Sequence, residues 1–503
     1  MRLTLITPRI AVQKGDFLGS GIPYWPIELA TLAGQLRTAD ESVSVIDLFG
    51  RAPSRLSDGG DHYLQGMPIG EHVRHDAVQG AEGFILYAIS YMSHQELVDI
   101  IRTLKQARPD AWVAVLENSQ AVTAYSLQRV ADELFRAGAD VLVCGEAYFN
   151  WSEIKAFLAD PETRPIPANV IARNGPRTPR RITAKSTRYP LPAWDLFQLK
   201  SYWSIPYSHG PKTRRFLPIL TSRGCPYSCD FCVVPETNDR RWRGNSPTEV
   251  VREILELRDR FGVRDFQVED LNPTVSHTRW EEICRLLIER NANIRFYLVS
   301  GTKAETVRID QVPLLAAAGC RYISISPESG SLRVMKAIGK PFDYEHGLDL
   351  VSACRANGIY TQACFLVGHP SESEDDFKRS CAYLVRLVAA GLDEVAVFIV
   401  APFAGSALFA QDRIFLQDHA ALVSFSPRGR GDHATVARRR RQLIRVFVRE
   451  KLRRGPDLWL QAVRSLCGIP RTKMENLPRR AAYIAWLVTK AKIKAVAARP
   501  SSA

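Results

Sequence analysis

A strand and helix pattern repeats six times between residues 216 and 410, and this repetition limits the possible folds more than any other feature of the chain. Strands that alternate with helices pair in parallel, and successive right-handed units curve toward a (β/α) barrel. We therefore predict part of such a barrel, with its chemistry at the carboxyl ends of the strands. The predicted strands are Leu217 to Thr221, Asp265 to Glu269, Ile294 to Ser300, Tyr322 to Ser326, Tyr360 to Val367 and Glu394 to Val400. The predicted helices are Pro247 to Arg260, Thr278 to Arg290, Val307 to Ala318, Leu332 to Ile338, Tyr344 to Ala356 and Glu374 to Ala390.

Three cysteines, Cys225, Cys229 and Cys232, follow the first predicted strand of this barrel. They are separated by three and then two residues, so one tight loop can direct their thiolates toward a common centre. Soft sulfur ligands favour an iron–sulfur cluster or zinc. Zinc needs a fourth cysteine or histidine nearby, and the nearest candidates are His209 and His277. A [4Fe–4S] cluster on three cysteines leaves one iron open to a small molecule, and the remaining alternative is a chance grouping of buried thiols.

The cysteine loop, with Phe231 just before its last cysteine, resembles the cluster loop of the radical S-adenosylmethionine (radical SAM) enzymes. This resemblance implies a [4Fe–4S] cluster on Cys225, Cys229 and Cys232, with S-adenosylmethionine chelated by the open iron. It also implies that an electron from the cluster cleaves S-adenosylmethionine to a 5′-deoxyadenosyl radical. A reducing partner such as flavodoxin or ferredoxin would supply that electron.

Polar turns after the other predicted strands extend this resemblance. Glu269 and Asp270 follow the second strand and suit a cationic amino group through charge-assisted hydrogen bonds. The stretch 324–330 resembles the family's Gly-x-Glu-Ser-Gly turn, 367–372 the turn on which the family rests adenine, and 401–406 the family's Pro-x-x-Gly-Thr loop. Carboxylates at such strand ends can also cap helices, so the alternative for each of these acidic residues is a structural role without ligand binding. The residues implied to bind S-adenosylmethionine are Phe231, Glu269, Asp270, Ser326, Glu328, Gly368 and Pro370.

Residues 1 to about 160 alternate strands and helices in the same way and predict a doubly wound, Rossmann-like α/β domain. Ligands of such domains lie outside the carboxyl ends of the strands. The stretch 51–79 has no clear period and is predicted to be a surface excursion, and residues 161–215 are predicted to be a linker. The predicted strands are Leu3 to Thr7, Ser42 to Leu48, Gly83 to Ile89, Trp112 to Leu116 and Asp140 to Cys144.

Placed directly before the cysteine loop, this domain resembles the cobalamin-binding domain of cobalamin-dependent radical enzymes. The likeness lies in residues 26–33 ahead of 43–47, in 89–93 and in 139–146. Two departures are the absence of an Asp-x-His-x-x-Gly run for an axial histidine, and Glu117-Asn118 in place of a Gly-Gly turn. The alternative is a doubly wound scaffold without the cofactor. The residues implied to face cobalamin are Ser90, Tyr91, Ser93, Glu117, Gly145 and Glu146.

The region 411–503 is predicted to be basic and mostly helical. From Arg428 onward it holds 20 Lys and Arg against 4 Asp and Glu, whereas the whole chain carries +14. The apolar cluster Tyr483 to Val488 is flanked by cations and predicts peripheral attachment to an anionic inner-membrane surface. The alternative is that this apolar side packs on the barrel. Single cysteines scattered in apolar segments predict a cytoplasmic protein, and no RNA-binding motif accompanies the basic residues, so no nucleic-acid partner is expected.

Together the two resemblances imply a cobalamin-dependent radical SAM enzyme, and most specifically a C-methyltransferase. It would methylate an unactivated carbon of a biosynthetic intermediate, a small-molecule or lipid-like substrate whose identity the sequence does not give. A cyclase, rearrangement or oxidation enzyme with the same cofactors is one alternative. A non-catalytic iron–sulfur protein for electron transfer or sensing is another, from a different functional class.

Overall fold

The computed structural model describes residues 1–16, 18–119, 124–181, 188–411 and 431–497. The strands are β1 (Arg2–Thr7), β2 (Ile10–Gln13), β3 (Ser42–Asp47), β4 (Leu56–Asp58), β5 (His62–Gln65), β6 (Gly83–Ala88), β7 (Trp112–Glu117), β8 (Val141–Val143), β9 (Val170–Ala172), β10 (Phe216–Ile219), β11 (Ser222–Arg223), β12 (Arg243–Gly244), β13 (Asp265–Val268), β14 (Arg295–Thr302), β15 (Cys320–Glu328), β16 (Tyr360–Val367) and β17 (Glu394–Ile399). The helices are α1 (Ile27–Thr38), α2 (Leu48–Arg51), α3 (Asp76–Gln79), α4 (His94–Ala107), α5 (Ala131–Ala137), α6 (Trp151–Ala159), α7 (Leu199–Ser204), α8 (Val234–Thr237), α9 (Pro247–Phe261), α10 (His277–Glu289), α11 (Val312–Ala317), α12 (Leu332–Ile338), α13 (Tyr344–Ala356), α14 (Glu374–Ala390), α15 (Ala407–Gln411), α16 (His433–Arg454), α17 (Asp457–Cys467) and α18 (Leu477–Ala497).

The N-terminal domain is built on a sheet whose strands, within the described residues, have the order β3-β1-β6-β7-β8-β9. The strands from β3 to β8 pair in parallel, as the sequence predicts. The chain winds outward in both directions from the junction of β1 and β6, and ligands of doubly wound sheets lie beyond the carboxyl ends at such a junction. At the edge, β9 pairs antiparallel with β8. The predicted linker therefore contributes a strand, and the domain extends beyond residue 160.

The stretch 51–79 is not the irregular excursion that the sequence predicts. It contains β4 and β5, which form a small antiparallel sheet with β2. Each of these strands has only three or four residues, which is too short for an alternating pattern to stand out in the sequence.

The second domain has parallel strands in the order β10-β13-β14-β15-β16-β17, which agrees with the predicted units. Helix α9 shows how the sequence sets one unit. The Ser246 side chain accepts a hydrogen bond from the Glu249 N–H at its start, and Gly262 ends it with a φ of +61°. The apolar residues of α9 recur every three or four positions and are buried in the same hydrophobic cluster as the strands.

The segment before the barrel anchors the two domains through its aromatic residues. Trp194 and Tyr202 are buried and contact Trp25 of the N-terminal domain, with ring centroids 5.4 and 4.3 Å apart. The Trp203 Nε1–H donates to the Phe216 carbonyl at 2.7 Å. These contacts tie the start of β10 to the first domain.

The C-terminal helices cover both domains. Helix α16 packs against α14 and β17. In α18, Ile484 and Leu487 are buried, Tyr483 donates to the Pro53 carbonyl at 3.3 Å, and Arg480 donates to the Leu18 carbonyl at 2.7 Å. The sequence-based expectation that the cluster Tyr483 to Val488 faces lipid is therefore wrong for most of its side chains, because they pack on the N-terminal domain. Residues 412–430 and 498–503 of the predicted tail lie outside the described residues. Within the described chain, we find no helix with the length and apolar character needed to cross a bilayer.

Candidate active site

The cysteine loop begins just beyond the carboxyl end of β10, where the sequence places the active site. The antiparallel pairing of β11 with β12 holds the base of the loop. Gly224 has a φ of +74°, and a Cβ there would lie 2.0 Å from the Arg241 carbonyl oxygen. Only glycine fits at this turn into Cys225.

Asp230 holds the middle of the loop. Its N–H donates to the Ile338 carbonyl at 3.0 Å, and its own carbonyl accepts from the Leu408 N–H at 2.8 Å. Its carboxylate lies 2.9 Å from Nε2 of His369. The loop is thus joined to the end of α12, to α15 and to the turn after β16.

Burial raises the pKa of all three loop thiols, to about 11 for Cys229, and the Lys340 ammonium opposes this rise in each case. A bound iron–sulfur cluster takes them as thiolates. Three thiols on one loop therefore match the donor set of a cluster. In the part of the chain that the structure describes, no three His, Cys, Asp or Glu side chains, the loop cysteines included, are grouped as ligands for a single metal ion.

Lys340 connects the cysteine loop to the end of β15. Its Nζ donates to Ser326 Oγ and Glu328 Oε1, each at 2.6 Å. Burial opposes the charge of Lys340, but the carboxylate of Glu328 and the sulfur of Cys229 raise its pKa, so the ammonium stays protonated. Two of the predicted residues therefore meet around a buried cation that the sequence interpretation did not single out.

The turn after β16 is closed by its own glutamate. Gly368 has a φ of +81°, and its N–H donates to Glu372 Oε2 at 2.9 Å. Arg439 of α16 lies 3.1 Å from the same carboxylate oxygen. Of the other predicted residues, Phe231 packs half-buried against the main core, and Pro370 is exposed at the turn.

The two carboxylates after β13 have different surroundings. Glu269 lies 2.6 Å from Nδ1 of His209 and lines a cavity between the domains. Asp270 is fully buried, and its carboxylate accepts from the Thr221 N–H at 2.7 Å, the Thr221 hydroxyl at 2.6 Å and the Ser222 hydroxyl at 2.5 Å. The contact with S-adenosylmethionine predicted for Asp270 does not fit this enclosed position. Asp270 instead braces the start of the cysteine loop.

Replacing Asp270 by alanine should therefore weaken the base of the loop. It leaves one buried N–H and two hydroxyls without their acceptor, so we expect the free energy of unfolding to fall by roughly 2–4 kcal/mol and the bound iron to decrease. Asp270→Asn keeps one oxygen as an acceptor and should lose less. Urea unfolding and iron analysis of both variants measure this, and wild-type values for Asp270→Ala would show that the bracing is unimportant.

Three of the residues predicted to face cobalamin meet in one network. Glu117 pairs with Arg181 at 2.9 Å and accepts from the Gly145 N–H at 3.2 Å. Glu146 pairs with Arg243 of β12, whose Nε lies 3.1 Å from the carboxylate. The network therefore joins the carboxyl edge of the N-terminal sheet to the hairpin below the cysteine loop.

The other three residues predicted to face cobalamin lie at the carboxyl end of β6. Tyr91 is buried and donates to the Ala404 carbonyl of the second domain at 2.6 Å. Ser90 accepts from the Met92 N–H at 3.2 Å, and Ser93 donates to the Arg9 carbonyl at 3.3 Å. Tyr91 thus joins the two domains directly, whereas the two serines stabilise the turn locally.

Arg223, next to Gly224 at the base of the loop, is the central cation between the domains. It pairs with Glu28 of α1 at 3.0 Å and lies over the ring of Tyr189 at 3.8 Å from its centroid. Its Nη1 is buried and has no hydrogen-bond partner among the described residues. Sequence reasoning missed Arg223, Arg243 and Glu28, although the position of Arg223 two residues before Cys225 could have drawn attention to it.

A small cavity of about 30 Å³ lies between the domains at this place. Tyr24, Glu28 and Asn118 line it from the first domain, and Leu220 and Glu269 line it from the second. Asn118 follows β7, Leu220 follows β10 and Glu269 follows β13. The carboxyl ends of the two parallel sheets therefore face each other across the cavity.

The second domain matches a known protein family in sequence. Residues 219–384 match the model of the radical SAM superfamily. The chain contains a radical SAM domain. The matched residues include the cysteine loop and the strand ends around Lys340. Radical SAM proteins bind a [4Fe–4S] cluster and S-adenosylmethionine, which confirms these two predicted cofactors at the level of the family.

Curated relatives include a methyltransferase and a cyclase. Cytidylyl-2-hydroxyethylphosphonate methyltransferase of Streptomyces wedmorensis is 29% identical over 231 residues, which are 44% of this chain and 42% of the relative. The anaerobic magnesium-protoporphyrin IX monomethyl ester cyclase of Rubrivivax gelatinosus is 26% identical over 194 residues, which are 38% of this chain and 33% of the relative. The chain spans about half or less of the length of these curated relatives.

A solved structure resembles both domains. It is the radical S-adenosylmethionine methyltransferase TsrM from Kitasatospora setae, with cobalamin and a [4Fe–4S] cluster bound. The TM-score is 0.61 at 17% identity, and the similarity covers 81% of this chain and 74% of TsrM. The shared fold therefore extends well beyond residues 219–384.

Proposed function

We propose that this protein is a cobalamin-dependent radical SAM enzyme that methylates a carbon atom of a small-molecule or lipid-like substrate. The observation that carries the proposal is that the carboxyl ends of the two sheets face each other across the cavity, which is lined by Leu220, five residues before Cys225. In doubly wound sheets and in (β/α) barrels, ligands bind at the carboxyl ends of the strands. Ligands of both domains would consequently meet at this interface.

The cluster and S-adenosylmethionine would be held by residues around Lys340. Cys225, Cys229 and Cys232 supply the donors for a [4Fe–4S] cluster. An ammonium group has three donors, and Lys340 uses two of them on Ser326 and Glu328. The third is suited to the carboxylate of S-adenosylmethionine. When bound, the cluster supplies the electron for the cleavage of S-adenosylmethionine.

Cobalamin would be held at the interface by residues at or just after the carboxyl ends of β6, β7 and β8, namely Ser90, Tyr91, Ser93, Glu117, Gly145 and Glu146. The unpartnered Nη1 of Arg223 fits a polar ligand there, because a buried donor without an acceptor is costly. A corrin ring is far larger than the cavity of about 30 Å³, so binding requires the facing side chains to separate. When bound, cobalamin supplies the methyl group.

Cobalamin binding tests the proposal directly. We expect one cobalamin per chain after anaerobic reconstitution, and a cob(II)alamin paramagnetic resonance signal without splitting from an axial histidine nitrogen. Ile89→Trp should fill the cavity and prevent cobalamin binding but leave the iron content unchanged. Ile288→Trp, on the exposed surface of α10, is the matched control. If the wild-type chain binds iron but never cobalamin, the proposal of a methyltransferase is refuted, while the radical SAM assignment stands.

A cyclase, rearrangement or oxidation reaction is the second candidate, because the cyclase of Rubrivivax gelatinosus is among the relatives. Both candidates use the same cluster and the same S-adenosylmethionine site. The mass of the product separates them, since a methyltransferase adds one carbon.

A further inference from the structure

Helix α17 presents its apolar side to solvent and its polar side to the protein. Trp459, Val463 and Leu466 lie four and three positions apart, and Leu460 lies three positions before Val463, so the four share one face, which we call the α17 apolar face. Leu466 is 85% exposed and Trp459 is 68% exposed. This is the reverse of the usual arrangement on a globular protein, in which the apolar side of a surface helix points to the core.

The orientation of α17 is fixed by polar contacts on its inner side. Gln461 is buried and donates to the Asp393 carbonyl at 2.9 Å. Arg464 pairs with the buried Glu475 at 2.6 Å, and Asp457 pairs with Arg355 at 3.1 Å. A rotation that buried the α17 apolar face would break all three contacts. The polar contacts on the inner side of α17 therefore keep this face exposed.

Cations border the α17 apolar face at both ends. Arg453 and Arg454 are exposed directly before the helix. At its other end, the guanidinium of Arg479 lies 3.0 Å from where a Cβ on Gly468 would be. Ile469 follows there and is also exposed.

The acidic residues of this region offset only part of these charges. Between 431 and 497 they are Asp432, Glu450, Asp457 and Glu475. Glu450 is buried and pairs with Arg449 and Arg453. Glu475 is buried and pairs with Arg464, and Asp457 is paired with Arg355 and Lys451. Only Asp432 of these is exposed, and it precedes α16 at the opposite end of that helix from α17.

We propose that the α17 apolar face inserts into the surface of a membrane that contains anionic lipids. A short helix with tryptophan and leucine on one side and arginine at its borders has the composition of an interfacial anchor. Arginines close to a membrane surface are attracted by anionic lipid headgroups. The sequence predicts this role for the cluster Tyr483 to Val488, whereas the exposed side chains of the structure favour α17 as the anchor.

The position of α17 gives the attached enzyme an orientation. Asp393, which Gln461 contacts, directly precedes β17 and so lies at the amino ends of the barrel strands. The cysteine loop is at the opposite, carboxyl ends. Attachment through α17 therefore leaves the interface between the two domains uncovered by the membrane.

Cosedimentation of the full chain with vesicles tests this anchor. We expect binding to phosphatidylcholine vesicles that contain phosphatidylglycerol, and weaker binding to phosphatidylcholine alone or at about 1 M salt, where the Debye length is about 3 Å. Trp459→Ser combined with Leu466→Ser should lower the bound fraction relative to free protein by about tenfold or more. Arg453→Ser combined with Arg454→Ser should lower it only on anionic vesicles. Ile288→Ser, which also removes an exposed apolar side chain, should change nothing.

Two outcomes would overturn the proposal. One is unchanged vesicle binding by the Trp459→Ser, Leu466→Ser chain. The other is absence of vesicle binding by the wild-type chain. If that chain is also a dimer in sedimentation velocity and the double variant is a monomer, the α17 apolar face is a contact between two copies of the chain. Because the changed side chains are exposed, thermal unfolding should stay close to wild type in all variants.

Discussion

Replacing Cys225, Cys229 or Cys232 by alanine is expected to remove the iron–sulfur cluster and the cleavage of S-adenosylmethionine together. The loop holding them is fixed by Gly224 and Asp230, so its three sulfurs cannot be substituted by a neighbouring residue without rebuilding the loop. The chain should lose nearly all of its iron in each variant. Iron analysis and the absorption spectrum after anaerobic reconstitution measure the change.

Cys320→Ala provides the matched control for this prediction. Cys320 is fully buried at the start of β15, away from the cysteine loop. Its replacement should cost only packing energy, about 1–3 kcal/mol in the free energy of unfolding, and should leave the iron in place. A loop variant that retains about four irons per chain would refute the cluster assignment.

Replacing Lys340 by methionine should damage both stability and the use of S-adenosylmethionine. Removing one partner of a buried ion pair leaves Glu328 without its cation and costs about 3–5 kcal/mol. The loss of a charge-assisted hydrogen bond to S-adenosylmethionine, worth about 1.5–3 kcal/mol, should raise its KM by about 10- to 100-fold. Chemical denaturation and the concentration dependence of S-adenosylmethionine cleavage measure the two effects.

A double variant separates these two roles of Lys340. Lys340→Met combined with Glu328→Gln removes both charges, so much of the stability should return. The KM for S-adenosylmethionine should remain high, because the cation is still missing. A double variant with the wild-type KM would show that Lys340 only supports Glu328 and does not bind the ligand.

Much of the barrel could be predicted from the sequence because its periodicity is strong. The predicted bounds of α12, α13 and α14 agree with those in the structure. Helix α11 is the exception, since the apolar spacing predicts a helix from Val307, whereas the helix starts at Val312. Pro313 lies in the first turn of α11. Proline favours a helix start and disrupts the turn before it, so the preceding residues form short 3₁₀ turns instead.

The site was less predictable because its key contacts join residues that are distant in sequence. Lys340 follows Gly339, whose φ of +74° ends α12 and turns the chain toward Glu328. Nothing in the local pattern marks that turn as leading into the active site. Asp270 shows the same limit, because only the tertiary structure reveals that its carboxylate points to Thr221 rather than to a ligand. The strand β9 was not predicted because its three residues are too few to show an alternation of apolar and polar side chains.

Formation of 5′-deoxyadenosine by the anaerobically reconstituted full chain is the most direct test of the central claim, that the cysteine loop and Lys340 form a radical SAM active site. Mass spectrometry should detect 5′-deoxyadenosine when S-adenosylmethionine and dithionite are both present, and none with the Cys225→Ala chain. The wild-type chain with an intact cluster that bound S-adenosylmethionine but gave no 5′-deoxyadenosine would contradict the account and would favour a non-catalytic iron–sulfur protein.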